Sequence, residues 1–247
     1  MYPFSMYTMY MKNSIFFIFL ILSILTIYWI SAFYSKIKIS KELVAQTIPY
    51  KKQSEDVSRA LLVLGDSTAV GVGASSPLES VPGRLATYGS FTYVENHAVS
   101  GATIEDLNSQ ITKISQQKYD TILIQIGGND IVRFHSEKDA ASALEKIIIP
   151  LKDLSTTIVL ISAGNVGEAP LVPFPLKGAY TRLNKRYHES FAELGEKRGI
   201  IYISTYLDPS IDPFVLDPEN YFAADSFHPS SLGYKVWFDL IAKRLYR

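Results

Sequence analysis

No charged side chain occurs between Asn13 and Ser35, and residues 15–34 read IFFIFLILSILTIYWISAFY. As a helix, twenty such residues rise about 30 Å, the thickness of a bilayer's hydrocarbon core. A helix packed on a soluble core keeps one polar face, and this stretch has none. Tyr28, Trp29, Phe33 and Tyr34 gather toward one end, where an interfacial aromatic belt belongs. The alternative is a cleaved secretory signal that starts at Met11, since all four methionines fall within the first eleven residues. Against cleavage, the run exceeds a signal-peptide core and no small-x-small pair closes it. The expected organisation is a tail at 1–14, a transmembrane anchor (or uncleaved signal) at 15–34, a polar linker at 35–56 and one folded domain at 57–247.

Charge divides the chain at the same place. Residues 1–56 hold six lysines against Glu42, Glu55 and Asp56, which leaves 18 basic and 21 acidic residues for the remainder. The totals, 24 basic and 24 acidic, cancel, so nothing draws the chain toward nucleic acid. Without cysteine, disulfide, thiolate and zinc-thiolate chemistry are all excluded. Lys36, Lys38 and Lys41 outnumber Lys12 at the two ends of the apolar run, and the positive-inside rule then keeps the domain cytoplasmic. The chemistry read below suits an extracytoplasmic (periplasmic) domain instead, and the side stays open.

From residue 57 onward strand and helix patterns alternate. Ala60–Leu64, Thr92–Glu95, Thr121–Ile126, Thr157–Ile161 and Ile200–Ile203 are short apolar, β-branched runs. Between them, 104–114, 140–154, 180–197 and 232–245 space their apolar residues by three and four. Continuous apolar strands separated by helices predict a five-stranded parallel sheet covered on both faces, a flavodoxin-like three-layer α/β/α sandwich. Active groups in such a fold collect at the carboxyl ends of the strands.

Four loops there carry candidate chemistry. Gly65-Asp66-Ser67-Thr68 follows the first strand and sets a serine where a helix begins, its hydroxyl exposed and its amide free. A helix cap accounts for Asp66-Ser67 equally well. Gly71-Val72-Gly73 lacks the third glycine of a G-x-G-x-x-G fingerprint, Ser76 standing in its place, and no lysine followed by Ser or Thr completes a phosphate-cradling loop there. After the second strand, Gly101 can offer a bare N–H to an oxyanion, or can simply turn the chain before Thr103. His97 has no acidic neighbour positioned to make it a base and reads as a surface histidine. After the third strand, Asn129 supplies a neutral amide donor and Asp130 a helix start. Near the C-terminus, Asp225-Ser226-Phe227-His228-Pro229 lets a carboxylate fold back on the imidazole Nδ1–H and leave Nε2 as an acceptor. A metal site at Asp225 and His228 lacks further ligands, because His97, His135 and His188 lie in unrelated segments.

In the order Ser67, Gly101, Asn129, His228, with Asp225 three residues before the histidine, the chain resembles the SGNH hydrolases, also called GDSL esterases/lipases. The likeness covers 57–247 and departs at Thr68, where many members carry leucine. It implies a three-layer fold and ester hydrolysis through an acyl-enzyme. Ser67 would be the nucleophile, His228 the base and Asp225 its orienter, with Ser67, Gly101 and Asn129 as oxyanion hole. No metal or organic cofactor is required.

The expected partners are a small-molecule ester and a membrane reached through the N-terminal helix. Leu171-Val172-Pro173-Phe174-Pro175-Leu176 is apolar and stiff enough to wall an acyl pocket, or else is a packed loop. With the anchor it favours lipid-like esters, lysophospholipids among them. The alternatives are an O-acetyl esterase or acyltransferase acting on surface carbohydrate, a non-catalytic tethered binding module, and a nucleotide-binding flavodoxin-like domain.

Overall fold

Ala60 to Gly65 (β1) forms a strand buried along its whole length, because its side chains have apolar company on both faces. Ala60, Leu62 and Leu64 point to one core, Leu61 and Val63 to the other, as the two-residue period of a strand requires. The computed structural model describes residues 4–55 and 57–246, with side chains from residue 13. Residues 1–3, 56 and 247, at the outer edges of the predicted tail, linker and domain, lie outside the described residues.

The other strands are Tyr93–Asn96 (β2), Thr121–Gln125 (β3), Ile158–Ile161 (β4) and Ile201–Ile203 (β5). All pair in parallel in the order β2-β1-β3-β4-β5, the doubly wound arrangement. One face is covered by Leu107–Ile111 (α4), Glu137–Leu151 (α6) and Phe174–Arg198 (α7). The other is covered by Ser67–Val70 (α2), Val81–Tyr88 (α3) and Ser231–Leu245 (α10). Three short helices lie in the loops beyond the sheet: Gly128–Val132 (α5), Pro213–Leu216 (α8) and Pro218–Tyr221 (α9). Each fully buried Leu or Ile of these cores stabilises the fold by about 2 kcal/mol relative to exposure.

Before the sheet comes a single helix, Phe4–Gln46 (α1), long and apolar enough to cross a membrane. Large apolar side chains from Ile15 to Ile30 are exposed around it. Where the sequence suggests a polar linker from residue 35, the helix instead runs on to Gln46. The reason is local: Lys38 and Glu42 pair at i,i+4, and no glycine or proline interrupts the chain until Pro49, which disfavours the helical conformation at Ile48. From Phe33 onward one face becomes half-buried against the domain. Lys36 Nζ donates to the Ala224 carbonyl at 2.8 Å, and the chain then reaches the sheet edge, where Lys52 and Val94 exchange backbone hydrogen bonds.

Candidate active site

Parallel pairing of β1 with β3 brings Gly65 beside Gln125, so the two loops that follow leave the sheet side by side. Gly65 has φ +150°, and a Cβ there would strike the Gln125 carbonyl oxygen, so this turn requires glycine. Its backbone is clamped by Gln110 of α4, which accepts from Gly65 N and donates to Gly65 O, each at 2.8 Å. Asp66 then caps α2 by accepting from Thr68 N at 2.9 Å, which places Ser67 at the first helical position.

Ser67 Oγ lies 3.0 Å from His228 Nε2, and His228 Nδ1 lies 2.6 Å from Asp225 Oδ2. Asp225 Oδ1 accepts the N–H groups of Phe227 and His228, both at 3.0 Å, so one carboxylate shapes the loop and aims the ring. Ser226 takes φ +62° to make that turn, and Pro229 bridges to Phe222 before Ser230 caps α10. Burial alone would raise the Asp225 carboxyl. The hydrogen bonds and charge of His228, with the two amides, outweigh it and hold the group below its usual range.

Gly101 and Asn129 border the same cavity as Ser67 and His228. Gly101 has φ +84° with open space where a Cβ would stand. Among the described residues, the N–H groups of Ser67 and Gly101 find no acceptor in the protein. Asn129 Nδ2 donates to Ala102 O at 3.0 Å, which holds the amide beside the Gly101 loop. Asp130 ties the same loops together: it accepts from Ile104 N at 3.1 Å and contacts His135 Nδ1 at 3.1 Å.

The cavity measures about 510 Å³, and its walls are mostly apolar. Leu171, Val172, Pro173 and Leu176 line it, whereas Phe174 starts α7 and is 88% exposed. Phe33, Ile37, Ser40 and Val44 of α1 line the cavity as well.

Three features escaped the sequence reading. His97 is not a bare surface histidine: its Nε2 lies 2.6 Å from Glu95 Oε1. The two alternate onto one side of the chain at the end of β2, a spacing visible in the sequence. Gln110 and Asn96 position the site without touching it, Asn96 Nδ2 donating to Ala69 O at 3.0 Å. Asp66 is a buried carboxyl on the cavity wall, and burial pushes it up to about 6 against the opposing pull of the Thr68 hydroxyl and amide.

That shift has a definite sign. The folded state favours the protonated carboxyl, so its stabilising share is complete below the ordinary 3.8 and is lost as pH rises through about 6. Asp66→Asn keeps an acceptor for Thr68 and removes the buried charge. Its stability should exceed that of the parent by up to about 3 kcal/mol at pH 8, with the gap closing near pH 4. Denaturant midpoints at both pH values check this, and a gap that does not widen with pH overturns it.

Comparison with known proteins adds to this geometry. The model of the GDSL-like Lipase/Acylhydrolase family matches residues 63–236. A GDSL-like esterase of Mycobacterium tuberculosis is 28% identical over 191 residues, 73% of this chain and 60% of that protein. The chain thus spans less than two thirds of the mycobacterial relative. An arylesterase of Vibrio mimicus is 25% identical over 198 residues, covering 78% of this chain and 90% of that protein. The crystal structure of a lipase/acylhydrolase from Enterococcus faecalis superposes with a TM-score of 0.57 at 25% identity, over 76% of this chain and 95% of that one.

Proposed function

The chain belongs to the GDSL-like lipase/acylhydrolase family, and from that premise we propose that it hydrolyses carboxylic esters through an acyl-enzyme on Ser67. One observation carries the reading: an unbroken hydrogen-bonded series runs from Ser67 Oγ through His228 to Asp225 at the wall of an apolar cavity.

Ser67 Oγ attacks the ester carbonyl carbon while its proton passes to His228 Nε2, and Asp225 stabilises the imidazolium that forms. The carbonyl electrons move to oxygen, where the amides of Ser67 and Gly101 and the Asn129 side chain receive the charge. Collapse breaks the bond to the alcohol oxygen, which takes the proton from Nε2. Water then repeats the sequence on the acyl-enzyme, releasing the acid and restoring the Ser67 hydroxyl. The neutral Asn129 amide lowers the barrier without a titratable proton of its own. Asn129→Ala should cost about two to three decades in kcat with little change in KM. A loss confined to KM overturns its oxyanion role.

An acyl chain suits the cavity better than an acetyl group. Its volume of about 510 Å³ lies in the range of pockets that bury a drug-sized ligand, and an acetyl group would leave most of it empty. The exposed apolar run of α1 is read as an anchor that holds this cavity at a membrane surface. A p-nitrophenyl ester series, measured on the intact chain in detergent, tests the substrate: kcat/KM should climb from acetate to at least octanoate. A maximum at acetate sinks the acyl-chain reading and turns attention to O-acetyl esters of carbohydrate.

A further inference from the structure

The anchor helix does more than end near the site. Phe33, Ile37, Ser40 and Val44 recur at intervals of four, three and four, the spacing that puts residues on one helical face, and all four line the cavity that holds Ser67 and His228. That face is half-buried at Phe33, Ile37 and Ser40, while the residues beside it, Lys38 and Lys41, face water. The segment is also pinned to the catalytic loop, Lys36 Nζ donating to the Ala224 carbonyl one residue before Asp225. Ile37 follows Tyr34, the last residue of the apolar run, by three positions, about 4.5 Å along the axis. A cavity wall that begins within the apolar run opens at the depth where the acyl chains of a bilayer meet their headgroups. Lys38 and Lys41 then stand where anionic headgroups would be.

We propose that this segment of α1 is the specificity wall of the acyl site: Phe33, Ile37, Ser40 and Val44 set the chain length that the pocket accepts, and the substrate is an amphiphilic ester that slides its acyl chain from the bilayer along the helix to Ser67. The proposal rests on the ester-hydrolase reading above and gives it a substrate class. Each acyl methylene that the wall helps to bury raises kcat/KM about fourfold, so displacing two of them costs more than tenfold.

The test uses the full-length protein in detergent micelles, with p-nitrophenyl acetate, octanoate and dodecanoate. Ile37→Trp and Ser40→Trp fill the cavity from the helix side and should lower the octanoate-to-acetate ratio of kcat/KM by more than tenfold. Lys41→Trp, on the same helix but exposed and outside the cavity lining, should leave that ratio at its parent value. Labelling of Ser67 by a fluorophosphonate reports whether each variant is folded. If a tryptophan variant does not label, Ile37→Ala, which widens the cavity, must shift the preferred chain toward dodecanoate. Labelled Ile37→Trp and Ser40→Trp with the ratio of Lys41→Trp, or an unshifted Ile37→Ala, overturn the wall and leave the hydrolase reading standing. A parent protein that neither labels at Ser67 nor turns over any ester of the series overturns both.

Discussion

Exchange of Ser67 for alanine is expected to lower kcat on p-nitrophenyl esters by about five to six decades and to erase labelling by a fluorophosphonate. The size follows from what is lost. Without Oγ there is no acyl-enzyme, and His228 can act only on water held in an apolar cavity. The remaining oxyanion donors retain a small advantage over solution, so the rate does not fall to the uncatalysed level. Folding should barely change. Asp66, not Ser67, caps α2, and the lost hydroxyl leaves His228 Nε2 facing a cavity that water can fill. A thermal melt within a few degrees of the parent therefore has to accompany the loss. Undiminished labelling of the variant, at whichever serine, overturns the assignment of the nucleophile.

The core of this protein was legible because its three central strands, β1, β3 and β4, are buried on both faces, which leaves continuous apolar runs that no amphipathic helix would show. Their order could not be read from such runs, yet the positions of the four loops could, since each follows a strand or precedes a helix. Proximity of Ser67 to His228, 161 residues apart, rested on the resemblance and on the rule that parallel strands present their carboxyl ends together. Other features left no local trace. Gln110 sits on the apolar side of α4 and looks like an error of patterning until its two hydrogen bonds to Gly65 are known. Helix α3 opens with Val81-Pro82-Gly83, poor helix formers whose start is secured by Ser80 accepting from Gly83 N. Beyond Tyr34, the charges of α1 suggested a solvated tether. The half-buried face at Phe33, Ile37 and Ser40 exists because a cavity in another part of the chain offers it apolar surface.

Replacing Asp225 by asparagine should reduce kcat about ten-thousandfold near neutral pH, and the hydrogen bonds explain why so small a change does so much. The amide oxygen of the new side chain can keep the two loop N–H groups that Asp225 Oδ1 now accepts, so the 225–229 turn survives. The other terminus becomes an NH2 group that faces His228 Nδ1 across the present 2.6 Å contact. Two donors cannot share that contact, so Nδ1 must become an acceptor and the ring proton moves to Nε2. That nitrogen then points its own proton at Ser67 Oγ, 3.0 Å away, and can no longer take one. Asp225→Ala separates this effect from structure, because it removes the acceptor of both amides as well and should lose stability that Asp225→Asn retains. The lowered folded pKa of Asp225 means that its stabilising share is present above the ordinary 3.8 and fades only as pH falls through its depressed value. Melts of the two variants should therefore be compared at pH 7, where the parent carboxylate is fully ionised. An Asp225→Asn enzyme within tenfold of the parent kcat at that pH would mean that the carboxylate shapes the loop but does not orient the base.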